Sequence, residues 1–416
     1  MEGIRERLVQ ELRRAGMRDV SDRFSVASAH QTIPRETLAG IDAFIRVFDR
    51  VTTRPAWQET TLRERRDPAR RPHPEVCFFS AWDFHLPPGR PDAWQLIEFN
   101  DNGSGLLFAA LINRALWELS GASLRAEVEA PPPFDAIARR VAEMVEGEAR
   151  AFFGGRPDGA LLIVDDAESL REGRFRDELL LLRDGLSRAG WKVGLAAPEE
   201  LRRDEARLLW QGCEVAFVVN RSTDFLFEDE KLAALRDAWR EDRVYVAPNP
   251  FTYATRSDKR LLDPLSRPVR DEALGIRPEE RELLSAHVPE TWLVREDELA
   301  TLSSRKGELV FKPAHGFAGR GLLPSAQVGR SRLRRLLQRG QAYVAQRRVE
   351  KSPLLLSSTE EPGTGHVPVW TDLRVWAWRG ERLLLSGRAS RHPDRIDLAP
   401  PGGWIATYPA ARSRSG

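Results

Sequence analysis

Residues 310–323 read VFKPAHGFAGRGLL, in which a lysine leaves an apolar run and is followed by Gly316, Gly319 and Gly321. Glycines so spaced let a chain turn tightly and bring its N–H groups against phosphate oxygens, while Lys312 offers a point charge. The lysine precedes the glycines, so this is not a Walker loop. A glycine-rich turn beside an exposed lysine would read the same way. A second group lies in QLIEFNDNGSG, where Glu98 and Asn100 are one residue apart on a strand and so share a face. With Asp83 on the preceding strand they form a set of oxygen donors suited to Mg²⁺. The alternative is a polar strand end, with Asp101 or Asn102 capping the next helix. The third group is TDLRVWAWRGERLLLSGRASR, in which Asp372 and Arg374 alternate onto one face and Arg388 follows after the hairpin turn. Arginines there could stabilise charge on a transferred phosphoryl group or an oxyanion, or could simply line a salt-bridged strand face.

The elements that must hold these residues can be read from spacing. Ile4, Leu8 and Leu12 mark one face of a helix, and a second helix is expected from about Pro34 to Phe48. After the Arg- and Pro-rich stretch at 63–75, VCFFSAWDFHL and AWQLIEFN read as a hairpin, and LLFAALINRALWEL resumes helical spacing. APPPF at 130–134 marks a boundary. From about 135 to 255 strands and helices alternate, the pattern of a parallel sheet with helices on its faces. Its first strand, ALLIVDD, is not followed by GxGxxG, so a dinucleotide role has little support. Beyond 256 come two helices, the strand ELVFKPA, a helix at SRLRRLLQ, the strand AYVAQRRVE, and the pair DLRVWAW and RLLLSGRASR; the tail ARSRSG reads as disordered.

The chain has 416 residues, enough for two to three domains, and 64 Lys+Arg against 62 Asp+Glu, so no global charge marks it as a nucleic-acid binder. No segment approaches the roughly 20 apolar residues of a membrane helix. Two cysteines, Cys77 and Cys213, and a charged N-terminus fit a cytoplasmic protein. Only six of the basic residues are lysines, at 192, 231, 259, 306, 312 and 351. Arginine replaces lysine poorly where a compact ammonium must reach a phosphate, so each of the six is informative.

Taken together, the three groups resemble the ATP-grasp superfamily of carboxylate-amine ligases in a circularly permuted order, and are most similar to the permuted group related to glutathionylspermidine synthetase. Lys259 in ATRSDKRLLDPLS looks like the first ATP lysine and Lys312 like the second. VAQRRVE, with Gln346 and Val349, looks like the hinge that meets adenine, and Arg374 and Arg388 look like the catalytic arginine pair. The metal part, Asp83 with Glu98 and Asn100, stands near the N-terminus instead of after Gly403, which is the permutation. The sequence departs from the family's usual pattern at His315, Ala318 and Asp397.

The resemblance implies a mixed α/β and α+β chain, an ATP-grasp fold with an α/β pre-ATP-grasp domain. Its expected parts are a helical N-terminal segment (1–70), the permuted metal-binding part (71–130), the α/β domain (131–255) and the ATP-binding part (256–416). It implies ATP and Mg²⁺ as cofactors and small-molecule or peptide carboxylates and amines as substrates, joined through an acyl phosphate. A small-molecule kinase or a non-catalytic nucleotide-binding module of the same architecture is the alternative. NRSTD at 220–224 could touch the acceptor or could form an Asx turn, and His85 reads as a strand-end residue. The histidines show no HExxH spacing, and no GxSxG elbow is present.

Overall fold

The computed structural model describes the chain apart from residues 1–2, 21–23, 64–79, 270, 317–320, 324, 326–327, 358–365, 394–395, 397 and 413–416. In chain order the strands are β1 (Val26–Ile33), β2 (Ala81–His85), β3 (Gln95–Asn100), β4 (Ala160–Val164), β5 (Val193–Ala196), β6 (Arg202–Asp204), β7 (Arg207–Trp210) and β8 (Cys213–Asn220). They continue as β9 (Tyr245–Ala247), β10 (Thr291–Leu293), β11 (Leu309–Pro313), β12 (Tyr343–Arg347), β13 (Ser352–Ser357), β14 (His366–Trp378), β15 (Glu381–Ser390) and β16 (Gly403–Pro409).

The largest sheet joins the two ends of the chain, in the order β1-β16-β15-β14-β2-β3 with β13 also paired to β14. Its pairs are antiparallel except β1 with β16. Alternation gives each strand two different faces. On one, Trp82, Phe84, Phe99, Leu373, Val375 and Leu385 pack with the Arg35–Thr52 helix, whose Phe44, Ile45 and Phe48 are buried. On the other, Ala81, Trp376, Leu384 and Trp404 pack under the apolar Leu106–Leu119 helix. An indole buries about 200 Å² at roughly 25 cal/mol per Å², so each contributes roughly 5 kcal/mol of hydrophobic driving force before entropy is counted. That apolar half anchors a charged half further along the same face, where Asp83, Arg374 and Arg388 lie.

The parallel core of the second sheet is β5-β4-β8-β9, as the alternating pattern predicts, and β6 and β7 extend it with antiparallel pairs. A third sheet, β10-β12-β11, forms its own core with Leu333 of the Arg330–Gln338 helix. Both expected N-terminal helices form, at Ile4–Arg14 and Arg35–Thr52. The segment before residue 70 also holds β1, so it is not wholly helical. VASAHQTI lacks a clean apolar alternation because its start is covered on both faces, Val26 and Ala27 lying in different core clusters, while its middle is only partly buried. No described helix is long and apolar enough to cross a membrane.

Candidate functional site

Register assembles the charged face. Glu98 of β3 lies opposite Asp83 of β2, which lies opposite Arg374 of β14, and Asp372 lies opposite Arg388 of β15. Directly opposed residues share a face, so residues nearly 300 positions apart in sequence form one row. Arg374 grips Asp83 with two bonds, Nε to Oδ1 and Nη2 to Oδ2, both 2.6 Å. Arg388 donates to Asp372 at 2.6 Å and reaches Asp83 at 3.0 Å. Burial alone would raise the Asp83 pKa, but the Arg374 and Arg388 guanidinium groups outweigh it and hold the carboxyl well below the usual carboxylate range. Asn100 completes the set, its amide nitrogen 3.4 Å from Asp83.

The lysines enter from other elements. Asp258 caps the short Lys259–Leu261 turn by accepting from the Arg260 N–H, and the turn aims Lys259 at two acceptors. Its ammonium lies 3.1 Å from Glu98 and 2.6 Å from the Gly316 carbonyl, so it joins the acid on β3 to the start of the glycine segment. Lys312 points from β11 into the interior, where its ammonium donates to Gln346 at 2.7 Å and lies 3.4 Å from the Ile97 carbonyl. That carbonyl is accessible because β3 bulges there: Asp83 pairs with Glu98 and Phe84 with Leu96, leaving Ile97 as the extra residue. Burial lowers the Lys312 pKa to about 8 against the pull of Glu98, with Lys259 and Lys351 adding to the fall and Asp83 opposing it.

The glycine segment folds back on β11 at Gly321, whose φ of +76° suits glycine and where a Cβ would meet Pro313 at 3.2 Å. Gly319, Ala318 and Asp397 lie outside the described residues. His315 is held by the Tyr253 hydroxyl at 2.8 Å and by Arg260 at 3.2 Å. In the segment expected to be the hinge, Gln346 also donates to Thr291 at 3.3 Å, and the Val349 carbonyl lies 2.9 Å from His85 Nδ1. Burial, reinforced by Lys351, pushes the His85 imidazole down to about 3, so it is neutral.

The structure therefore brings Asp83, Asn100, Arg374 and Arg388 into direct contact, links Glu98 to Lys259 and Gly316, and links Lys312 to Gln346. Val349 joins the assembly through His85. Asp83, Asp372 and Glu98 face Arg374, Arg388, Lys259, Lys312 and Lys351, a surplus of two positive charges in a largely buried setting. Such a cluster attracts a polyanion, and the low local dielectric strengthens the attraction.

NRSTD takes the turn reading: Asn220 accepts from the Ser222 N–H and donates to Pro248, and Asp224 accepts from Leu226 and Asp229. The neighbouring Arg221, not singled out from sequence, reaches the Ser104 hydroxyl and lies 3.7 Å from buried Glu178, while Arg374 donates to the Ser104 carbonyl at 3.2 Å. Gln31 of β1 was missed too. Its amide donates to the Asp372 carbonyl at 2.9 Å, while the Asp372 side chain takes the Arg388 N–H at 2.8 Å. The signal for it was Gly387 inside a strand, where a Cβ would lie 2.0 Å from Gln31 Nε2.

Among solved structures, the chain is similar to a glutathione synthetase-like effector from Globodera pallida in its apo form, with a TM-score of 0.60 at 13% identity over 97% of this chain and 96% of that one. It is also matched to a putative gamma-glutamylcysteine synthetase from Methylobacillus flagellatus, with a TM-score of 0.45 at 14% identity over 86% and 84% of the two chains. A third match is the ATP-grasp ligase PsnB complexed with minimal precursor, with a TM-score of 0.32 at 14% identity over 57% of this chain and 88% of that one. No protein-family model and no curated protein matches the sequence. The chain has the mixed α/β fold of the glutathione synthetase-like effector, in line with the mixed α/β architecture expected from the sequence.

Proposed function

We propose that the protein is an ATP-dependent carboxylate-amine ligase whose circularly permuted site is the cluster described above. The observation that carries this reading is the meeting of two lysines, Gly316, two arginines and the Glu98–Asn100 pair around one face, with positive charge in surplus. Lys259, Lys312 and the amides of the glycine segment hold the ATP phosphates, and Gln346 and Val349 form the hinge against the base. Glu98 and the Asn100 amide oxygen would hold a hard cation, with Asp83, whose oxygens both meet guanidinium groups, as the neighbouring carboxylate of the set. Mg²⁺ at that position supplies charge neutralisation of the phosphate oxygens.

Arg374 and Arg388 orient the substrate carboxylate for attack on the γ-phosphorus, which breaks the bond to the ADP oxygen and gives an acyl phosphate. An amine then adds to the carbonyl, and the same guanidinium groups stabilise the oxyanion until phosphate leaves and the amide remains. Substrates of this class are small-molecule or peptide carboxylates and amines, and the place of action is the cytoplasm. Mass spectrometry of products formed from ATP, Mg²⁺ and a pool of amino acids and polyamines tests the reading. Amide, ADP and phosphate support it; a phosphoester with ADP would replace it by a kinase, and nucleotide binding without turnover would replace it by a binding module.

A further inference from the structure

Strand β2 carries two ionisable side chains, and the proposed chemistry uses only Asp83. His85, at the end of the same strand, directs Nδ1 to the Val349 carbonyl at 2.9 Å. A carbonyl oxygen only accepts, so Nδ1 carries the proton. Three residues further on, Ser352 Oγ donates to the Leu86 carbonyl at 2.8 Å. The hinge is thus tied twice to the end of β2. Strand β12 ends at Arg347, so Val349 has left the ladder and the described bond that aims its carbonyl is the one from His85.

We infer that His85 is a positioning residue for base recognition, fixing the Val349 carbonyl as a directed acceptor that favours a purine with an exocyclic amine at C6 over one with a carbonyl there. A carbonyl oxygen has two lone pairs; the imidazole takes one and leaves the other aimed. Adenine offers an N–H to that lone pair, whereas guanine would set oxygen against oxygen there. The inference rests on the nucleotide reading of the site proposed above.

The test is calorimetric titration of the full chain with the non-hydrolysable analogues AMP-PNP and GMP-PNP, each with Mg²⁺. The wild type is expected to prefer the adenine analogue, and His85→Ala to lower that preference about tenfold, the factor that corresponds to one lost directed hydrogen bond. His85→Asn, whose amide nitrogen sits near the place of Nδ1, is expected to keep the preference, and His85→Gln, whose amide lies further out, to lose it. This pair decides the matter even where the alanine variant does not fold. Ser352→Ala removes the second tie and is expected to leave the ratio unchanged. A wild-type ratio in His85→Gln, or loss of the preference in a folded His85→Asn, would overturn the inference alone. A wild-type protein that binds no adenine nucleotide would overturn it together with the reading of the site.

Discussion

Replacing Asp83 by Asn keeps the side chain's shape and removes its charge, and the structure says which groups then suffer. Arg388 keeps Asp372 at 2.6 Å, whereas Arg374 loses one of its two 2.6 Å bonds, since the amide nitrogen cannot accept, and keeps the remaining amide oxygen and the Ser104 carbonyl, both uncharged. One buried guanidinium is left without its counter-charge, a change that costs about 3–5 kcal/mol. Glu98→Gln is the control: Glu98 is partly exposed and meets Lys259 at 3.1 Å, so its loss should cost below about 1 kcal/mol. Adding Arg374→Met to Asp83→Asn should recover much of the loss, because an apolar side chain of similar length leaves no charge to neutralise. The assay is urea unfolding followed by tryptophan emission, since Arg374 lies against Trp376 and Trp404. The sign with pH follows from the depressed Asp83 pKa. Its stabilisation is complete above the unfolded-state value near 4 and is lost as pH falls through the folded value, so the deficit of Asp83→Asn should be constant at neutral pH and should vanish in strong acid. Equal unfolding free energies for wild type and Asp83→Asn at pH 7 would refute the reasoning.

The remaining expectations concern ligands and packing. Lys312→Ala and Lys259→Ala should each weaken binding of a non-hydrolysable ATP analogue in calorimetry, and Lys312→Arg should not restore it, because the ammonium fits between Gln346 and the Ile97 carbonyl where a guanidinium does not. With the Lys312 pKa near 8 in the free protein, ATP affinity should fall as pH rises through that value, by up to about tenfold per pH unit, and Lys312→Arg should flatten the profile. Glu98→Gln should reduce ADP release far more than it reduces analogue affinity, since the lysines still hold the phosphates; equal effects on both would remove Glu98 from the metal role. Gly387→Ala should cost about 1–3 kcal/mol in thermal or urea unfolding, because its Cβ would meet Gln31 and the Asp372 carbonyl at 2.0 and 2.7 Å.

Much of this site was legible because the strand period is two. Glu98 with Asn100, and Asp372 with Arg374, had to share faces whatever the fold, and two of six lysines stood beside the segments that reached the site. The alternating pattern of 135–255 likewise led to the parallel core of β4, β5, β8 and β9, because fully buried strands such as ALLIV have no polar face to hide them. What the sequence withheld depends on register between distant strands. Asp83 reads as a free carboxylate until β2 is set beside β14, where both of its oxygens meet guanidinium groups. Gln31 and β1 were hidden because the strand is buried on both faces at Val26 and Ala27 and only partly buried beyond them, which leaves no alternation to read. The β6–β7 hairpin was hidden because RRDEARLLW is too charged to alternate. His85 gave no signal beyond its type, since the partner that gives it meaning is a backbone carbonyl 264 residues away.

The central claim is that this charged face drives amide formation through an acyl phosphate. That route breaks the bond between a carboxylate oxygen and the acyl carbon, so one carboxylate oxygen must leave with the phosphate. The purified protein can be incubated with ATP, Mg²⁺, an amine pool and amino acids labelled with ¹⁸O in their carboxyl groups, and the released inorganic phosphate examined by mass spectrometry. One ¹⁸O per phosphate, absent in Glu98→Gln, is the predicted result. Unlabelled phosphate released together with amide would contradict the account.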